Sequence, residues 1–200
     1  MLIDASDIYA QGNRYNFKKL GSKFGYGIKA GVNMAYQSSS AQSADITVKN
    51  ILGINAGGYC NYFPLKFLGV QADVIVSGKG AHWSDFYDDM KDIITYLDIP
   101  LLIKYQPARF VNVHVGVQGG FRLSARQKDL KAGTKANITD YYNFSEYSLT
   151  GGVEANLPNK VNLTLRYVYG LTSATNEVQY IEPWTNKLVQ FSVGYRFSGR

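Results

Sequence analysis

The chain has 200 residues, 46% hydrophobic and 18% charged, with 20 Gly, 16 Tyr and one cysteine, Cys60. That composition excludes a disordered chain, and a lone thiol excludes an internal disulfide and any Cys-rich metal site. No run of 18 or more apolar residues is present to cross a membrane as a helix, but that test is blind to barrels, whose spans alternate.

Residues 1 to about 22 are polar and irregular, and MLIDASDIYAQGNRYN lacks the basic region and apolar core of an export signal. From there an alternating pattern recurs eight times. In the first run Tyr26, Ile28, Ala30, Val32 and Met34 alternate with Gly25, Gly27, Lys29, Gly31 and Asn33. The second opposes Leu52, Ile54, Ala56, Cys60 and Tyr62 to Gly53, Asn55, Gly57 and Asn61, and the third opposes Leu68, Val70, Ala72, Val74 and Val76 to Gly69, Gln71, Asp73 and Ser77. In the fourth, Leu97, Ile99, Leu101, Ile103 and Tyr105 face away from Asp98, Pro100, Leu102 and Lys104. The fifth, FVNVHVGVQGGFRL, separates the valines, Phe121 and Leu123 from Asn112, His114, Gln118 and Arg122. The sixth sets Tyr147, Leu149, Val153 and Ala155 against Ser148, Thr150 and Glu154. The seventh sets Val161, Leu163, Leu165, Tyr167 and Tyr169 against Asn162, Thr164 and Arg166, and the eighth sets Val189, Phe191, Val193, Tyr195 and Phe197 against Gln190, Ser192 and Arg196. Period-two alternation is the signature of strands with two unlike faces, and each run is about the 9–11 residues that a tilted strand needs to cross a bilayer.

The connectors alternate in length. Turns are expected at Pro64–Lys66, Gln106–Arg109 and Pro158–Lys160, and long loops near residues 36–50, 78–93, 126–143 and 172–187. Short turns at one end and long loops at the other are the pattern of an outer-membrane barrel, with periplasmic turns and extracellular loops. The expected fold is an all-β, eight-stranded antiparallel up-and-down transmembrane barrel over 23–200, preceded by a periplasmic segment, 1–22.

Which face points inward follows from volume and charge. An eight-stranded interior is only just wide enough for side chains to fill, and five or six bulky apolar residues per strand would overfill it. The polar face is rich in Gly, Ser, Asn and Thr and carries Lys29, Asp73, Asp98, Lys104, His114, Arg122, Glu154, Arg166 and Arg196, which suits a narrow lumen cross-linked by ion pairs. The apolar runs carry no charge. Aromatic residues fall into two groups, Tyr26, Tyr62, Tyr105, Phe110, Tyr195 and Phe197 toward the turns and Tyr147, Tyr167 and Tyr169 toward the loops, as interfacial girdles do. Much of the basic charge lies on the turn side, at Arg14, Lys18, Lys19, Lys23, Lys66, Arg109, Lys160 and Arg200, so the net charge of +6 needs no nucleic acid.

The segments YGIKAGVNMA, LGINAGGYCNYFPLKFLGVQADVIVSGKGA, YLDIPLLIKYQP and LVQFSVGYRF resemble the PorT-type outer-membrane β-barrel family of the Bacteroidota over roughly residues 24–197. The resemblance implies a small closed barrel in the bacterial outer membrane, with Phe197 as a terminal aromatic of the kind read by barrel-assembly machinery, and an association of some members with type IX secretion. It implies little about activity.

Few residues invite a catalytic reading. His82 lies in AHWSDFYDDM near Ser84, Asp85, Asp88 and Asp89, types that serve nucleophilic catalysis or hold Ca²⁺. No Gly supplies the turn of an EF-hand loop there, so the segment reads as a solvated loop. His114 reads as a structural lumenal imidazole, and Asp98 and Glu154 as salt-bridged acids rather than a coupled acid pair. No cofactor or metal is expected. The expected role is that of a non-enzymatic outer-membrane protein acting by interaction, as an accessory component of a secretion or uptake assembly, with a small pore or a lipid-active enzyme as alternatives. The expected partners are the lipid bilayer, other outer-membrane proteins and, through the basic loop ARQKDLKAGTKANITDYYNF, lipopolysaccharide.

Overall fold

Alternating sequences of this kind satisfy their backbone groups only by pairing edge to edge, and in lipid the pairing has to close on itself. A computed structural model describes residues 23–38, 47–84, 89–131, 133–175 and 184–198. Its strands are β1 (Phe24–Ser38), β2 (Thr47–Lys49), β3 (Ile51–Tyr62), β4 (Leu68–Ser84), β5 (Asp89–Ala108), β6 (Val111–Asp129), β7 (Lys135–Asn137), β8 (Ser145–Asn156), β9 (Val161–Gly170) and β10 (Thr185–Ser198). Eight of them form an antiparallel ring in the order β4-β3-β1-β10-β9-β8-β6-β5, closed by pairing of β5 with β4. The short strands extend the wall at the loop end, β2 along β4 and β7 along β6. The segment 1–22 lies outside the described residues.

Polarity is inverted relative to a water-soluble core. Leu52 and Ile54 are 76% and 75% exposed, whereas Arg166 and Lys104 are each 1% exposed. Leaving one such aliphatic side chain in water rather than burying it costs about 1.5–3 kcal/mol, and the outer wall repeats this on every barrel strand. Hydrocarbon is the solvent that such a wall fits. Tyr26, Tyr62, Tyr105, Phe110, Tyr195 and Phe197 project outward near the turn end, and Tyr147, Tyr167 and Tyr169 project outward toward the other end.

Three features depart from the simple alternation. The expected loops at 36–50, 78–93, 126–143 and 172–187 are too long, because β1 runs to Ser38, β4 to Ser84, β5 begins at Asp89, β6 runs to Asp129 and β10 begins at Thr185. Gly78–Gly80, within the expected loop at 78–93, instead continues the ladder; Gly80 holds a φ of +136°, and a Cβ there would meet the Asp92 carbonyl oxygen at 2.1 Å. At the other end β5 runs on to Ala108, so Pro107 lies within the strand and the turn is Arg109–Phe110. The Pro158–Lys160 turn carries left-handed Asn159 and Lys160.

The second feature is Pro100, which has no N–H to donate. There the β4–β5 ladder skips from Ala72↔Leu101 to Ile75↔Asp98. The third is a bulge in β6. Thr95 pairs with Ser124 and Tyr96 with Arg122, leaving Leu123 extra, so the inward parity switches from even residues below to odd residues above.

Candidate functional site

The lumen is filled in layers by the inward residues of the alternating runs. Near the periplasmic end the buried Phe63 ring lies against Gly69, where a Cβ would come within 2.7 Å of it. Above it Lys104 Nζ donates to Glu154 Oε1 at 2.7 Å and to Gln71 Oε1 at 2.8 Å, and Asn112 donates to the same Glu154 oxygen at 2.9 Å. In the next layer Asp73 Oδ2 accepts from Lys29 Nζ at 2.7 Å and from Arg166 Nη2 at 3.0 Å. Arg166 Nε also approaches His114 Nε2 at 3.4 Å. Asn33, Asn55, Ser77, Gln190 and Ser192 form an uncharged layer of side-chain hydrogen bonds above that.

A second ion cluster sits higher. Lys79 Nζ donates to Asp98 Oδ1 at 2.9 Å and to Glu146 Oε1, while Asn186 Nδ2 donates to Glu146 Oε2 at 2.6 Å. The Lys79 ammonium lies 4.4 Å from the centre of the Tyr96 ring. Across both clusters Lys29, Lys79, Lys104 and Arg166 balance Asp73, Asp98, Glu146 and Glu154. Such pairs offset the cost of taking charge out of water only because each also meets further hydrogen bonds.

Apolar side chains pack at the loop end of the lumen. Ile94, Tyr96, Ala125, Ile138, Tyr142 and Ala174 form one buried cluster, and Ala35, Ile51, Val168 and Leu188 another. Ile138 and Tyr142 flank the 3-10 turn Thr139–Tyr141 and are themselves buried. Arg122 Nη1 donates to the carbonyls of Thr139 and Tyr142, and Asn143 donates to those of Ser173 and Thr175 at 3.0 Å each. The Tyr142 hydroxyl donates to Asp92 Oδ2 at 2.9 Å.

Of the lumenal residues read from the sequence, Lys29, Asp73, His114 and Arg166 come together, as do Lys104 and Glu154. Asp98 and Glu154 are each paired with a lysine rather than with one another. Arg122 is part-buried and clamps the cap, and Arg196 sits half-buried near the periplasmic mouth, 3.5 Å from Asn156 Oδ1. Lys79, Glu146, Asp92, Tyr59 and Tyr96 escaped the sequence reading. Continued alternation from Ser77 to Lys79, from Gly57 through Tyr59 to Asn61, backward from Ser148 to Glu146, and backward from Asp98 through Tyr96 and Ile94 to Asp92 was the signal that could have found them.

His82 is not in a loop but on β4, opposite Lys91 of β5. Of its expected companions, Asp85 and Asp88 lie outside the described residues, as do the side chains of Ser84 and Asp89. Arg14, Lys18, Lys19 and Arg200 of the basic turn-side set also lie outside. Among the described residues no three His, Cys, Asp or Glu side chains converge as metal ligands.

Solved structures share this architecture. Ail, the attachment invasion locus protein of Yersinia pestis, crystallised in complex with the heparin analogue sucrose octasulfate, is 15% identical, with a TM-score of 0.53 over 88% of this chain and 99% of that one. Neisserial surface protein A is 15% identical, with a TM-score of 0.52 over 90% of this chain and 100% of that one. At such identity the likeness is one of fold. No curated protein matches the sequence. Residues 9–176 match the family described as outer membrane protein beta-barrel domain. With its apolar outer wall, filled lumen and closed ring of strands, this chain belongs to that family of bacterial outer-membrane barrels.

Proposed function

We propose that the protein is a non-conducting, non-enzymatic barrel that acts by interaction at its outer end, as an accessory component of an outer-membrane assembly for secretion or uptake. The observation that carries this reading is the height of the β4–β6 wall. These strands have 17, 20 and 19 residues, against the roughly 9–11 needed to cross a bilayer, so much of each stands clear of the membrane while the lumen beneath is filled. A rigid sheet held above the surface supports protein contact, and the basic residues around β7 suit lipopolysaccharide as a second partner. Within the family, the LDIPLLIKY segment and the closing strand to Phe197 favour the PorT-type members of the Bacteroidota, with residues 1–22 as a periplasmic segment. Ail, crystallised in complex with the heparin analogue sucrose octasulfate, is a precedent for the same fold taking an anionic ligand.

A second reading, a small pore, draws on a specific observation. His114 Nδ1, Thr150 Oγ1, Thr164 Oγ1 and Arg166 Nη1 are buried without a hydrogen-bond partner, and all four lie on the adjacent β6, β8 and β9 walls. Groups like these are commonly satisfied by water, so they favour a hydrated file through part of the lumen. Phe63 and the cap obstruct its two ends, which is why the interaction reading is preferred.

The test is affinity purification of the tagged protein from its native outer membrane in mild detergent, beside a variant lacking residues 130–138. A stoichiometric partner lost with that deletion, while the barrel stays heat-modifiable, supports the proposal. Isolation as a lone monomer together with steady conductance in planar bilayers would replace it with the pore.

A further inference from the structure

The outer wall above the apolar band carries cations that, among the described residues, no carboxylate pairs with. The bulge at Leu123 turns Arg126 and Lys128 outward, where continued alternation would have turned them in. Lys128 stands directly opposite Lys91 of β5 on one side and Lys135 of β7 on the other. Three lysines thus form a single cross-strand row, and Arg126 lies two residues below Lys128 on the same face. Among the described residues none of the four takes part in an ion pair. Like charges directly opposite one another destabilise a sheet, so the row is at its most stable with an anion in front of it.

The surroundings define that anion. Ile93 and Leu123, at the foot of the row, are 44% and 57% exposed and continue the lipid-facing wall upward. A concavity of about 520 Å³ opens between Leu123, Arg126, Lys135 and Asn137. Cross-strand neighbours have Cβ atoms about 4.5–5.5 Å apart, so the lysine row is roughly 10 Å long, room for two phosphates on one headgroup. Apolar floor and cationic rim together match an amphiphile with acyl chains below and phosphate above.

We propose that Lys91, Arg126, Lys128 and Lys135 form a binding site on the outer wall for the phosphates of an acylated, anionic glycolipid of the outer leaflet. The inference deepens the lipopolysaccharide part of the function proposed above and is independent of any protein partner.

The test uses the full chain refolded in detergent and native mass spectrometry with bisphosphorylated hexa-acyl lipid A and its dephosphorylated form. Wild type is expected to retain the bisphosphorylated lipid at least tenfold better than the dephosphorylated one, and K91Q/K128Q/K135Q to lose that preference. Equal retention of the two lipids, or an unchanged preference in the triple variant, overturns the proposal. So does a soluble sulfated polysaccharide that displaces lipid A from wild type, since the site would then serve a free polyanion. The single variant Lys128→Gln supplies a readout should the triple variant misfold. Without lipid it is expected to melt above wild type, because a like charge is gone, and with bisphosphorylated lipid A below it; a variant that melts below wild type in both conditions refutes the unanswered row.

Discussion

Lys79 offers the sharpest test of how the lumen holds together. Its side chain is 0% exposed and lies between two carboxylates, Asp98 and Glu146, whose side chains are each 3% exposed. Lys79→Met keeps the length of the chain and its packing over Tyr96 but leaves two buried carboxylates with no cation between them. Glu146 keeps a donor at its other oxygen, from Asn186. Removing one partner of a buried ion pair typically costs about 3–5 kcal/mol, and with 1.4 kcal/mol per factor of ten this lowers the folding equilibrium by about two to four powers of ten. The assay is equilibrium urea unfolding in lipid vesicles, followed by circular dichroism and by the migration shift of folded barrels. The triple variant K79M/D98N/E146Q removes both stranded charges and is expected to recover most of the loss, since amides in the carboxylate positions can still hydrogen-bond. A single variant within about 1 kcal/mol of wild type, or a triple variant no better than the single, would refute the claim that paired charge organises the upper lumen.

Three further outcomes follow from the geometry. Gly116→Val is expected to abolish folding, since a Cβ there would sit 1.9 Å from the Leu101 carbonyl oxygen, whereas Gly119→Val, with nothing within 4 Å, is expected to fold normally; equal migration shifts for the two variants would count against the close approach of β5 and β6. Arg122→Gln frees the carbonyls of Thr139 and Tyr142 and is expected to speed proteolytic nicking within 130–144 without lowering the unfolding free energy of the barrel by more than about 1–2 kcal/mol; unchanged nicking rates would remove Arg122 from the clamp. Wild type in planar bilayers is expected to pass no steady current, and single-channel steps would mean that Phe63 and the cap do not obstruct the lumen.

The barrel was legible because hydrocarbon outside and a narrow lumen inside impose the same period-two pattern on every span, and Val113, Val115 and Val117 against Asn112 and His114 state it plainly. The inward polar set was legible for the same reason, down to the members of the Lys29–Asp73–Arg166 group. Which lysine met which acid was not, because pairing across a lumen depends on strand stagger, which alternation does not encode. Beyond the membrane the pattern weakens: Ile94, Ala125 and Leu188 are apolar and point inward, so the code that places polar residues inside is locally reversed. Tyr59, Ile75 and Val168 are similarly buried inward against the rule. The bulge hid the rest, since one extra residue exchanges the faces of everything beyond it.

That extra residue has an evolutionary consequence. Below Leu123 the wall answers to hydrocarbon thickness, lumen volume and internal charge balance, and a change at one position there constrains its neighbours. Above Leu123 a single insertion or deletion re-deals which side chains meet the outside world without disturbing a span. The β6–β7 arm is therefore the part of the molecule where surface identity can be rewritten in one mutational step, on a frame whose spans are held by their own lumenal pairing.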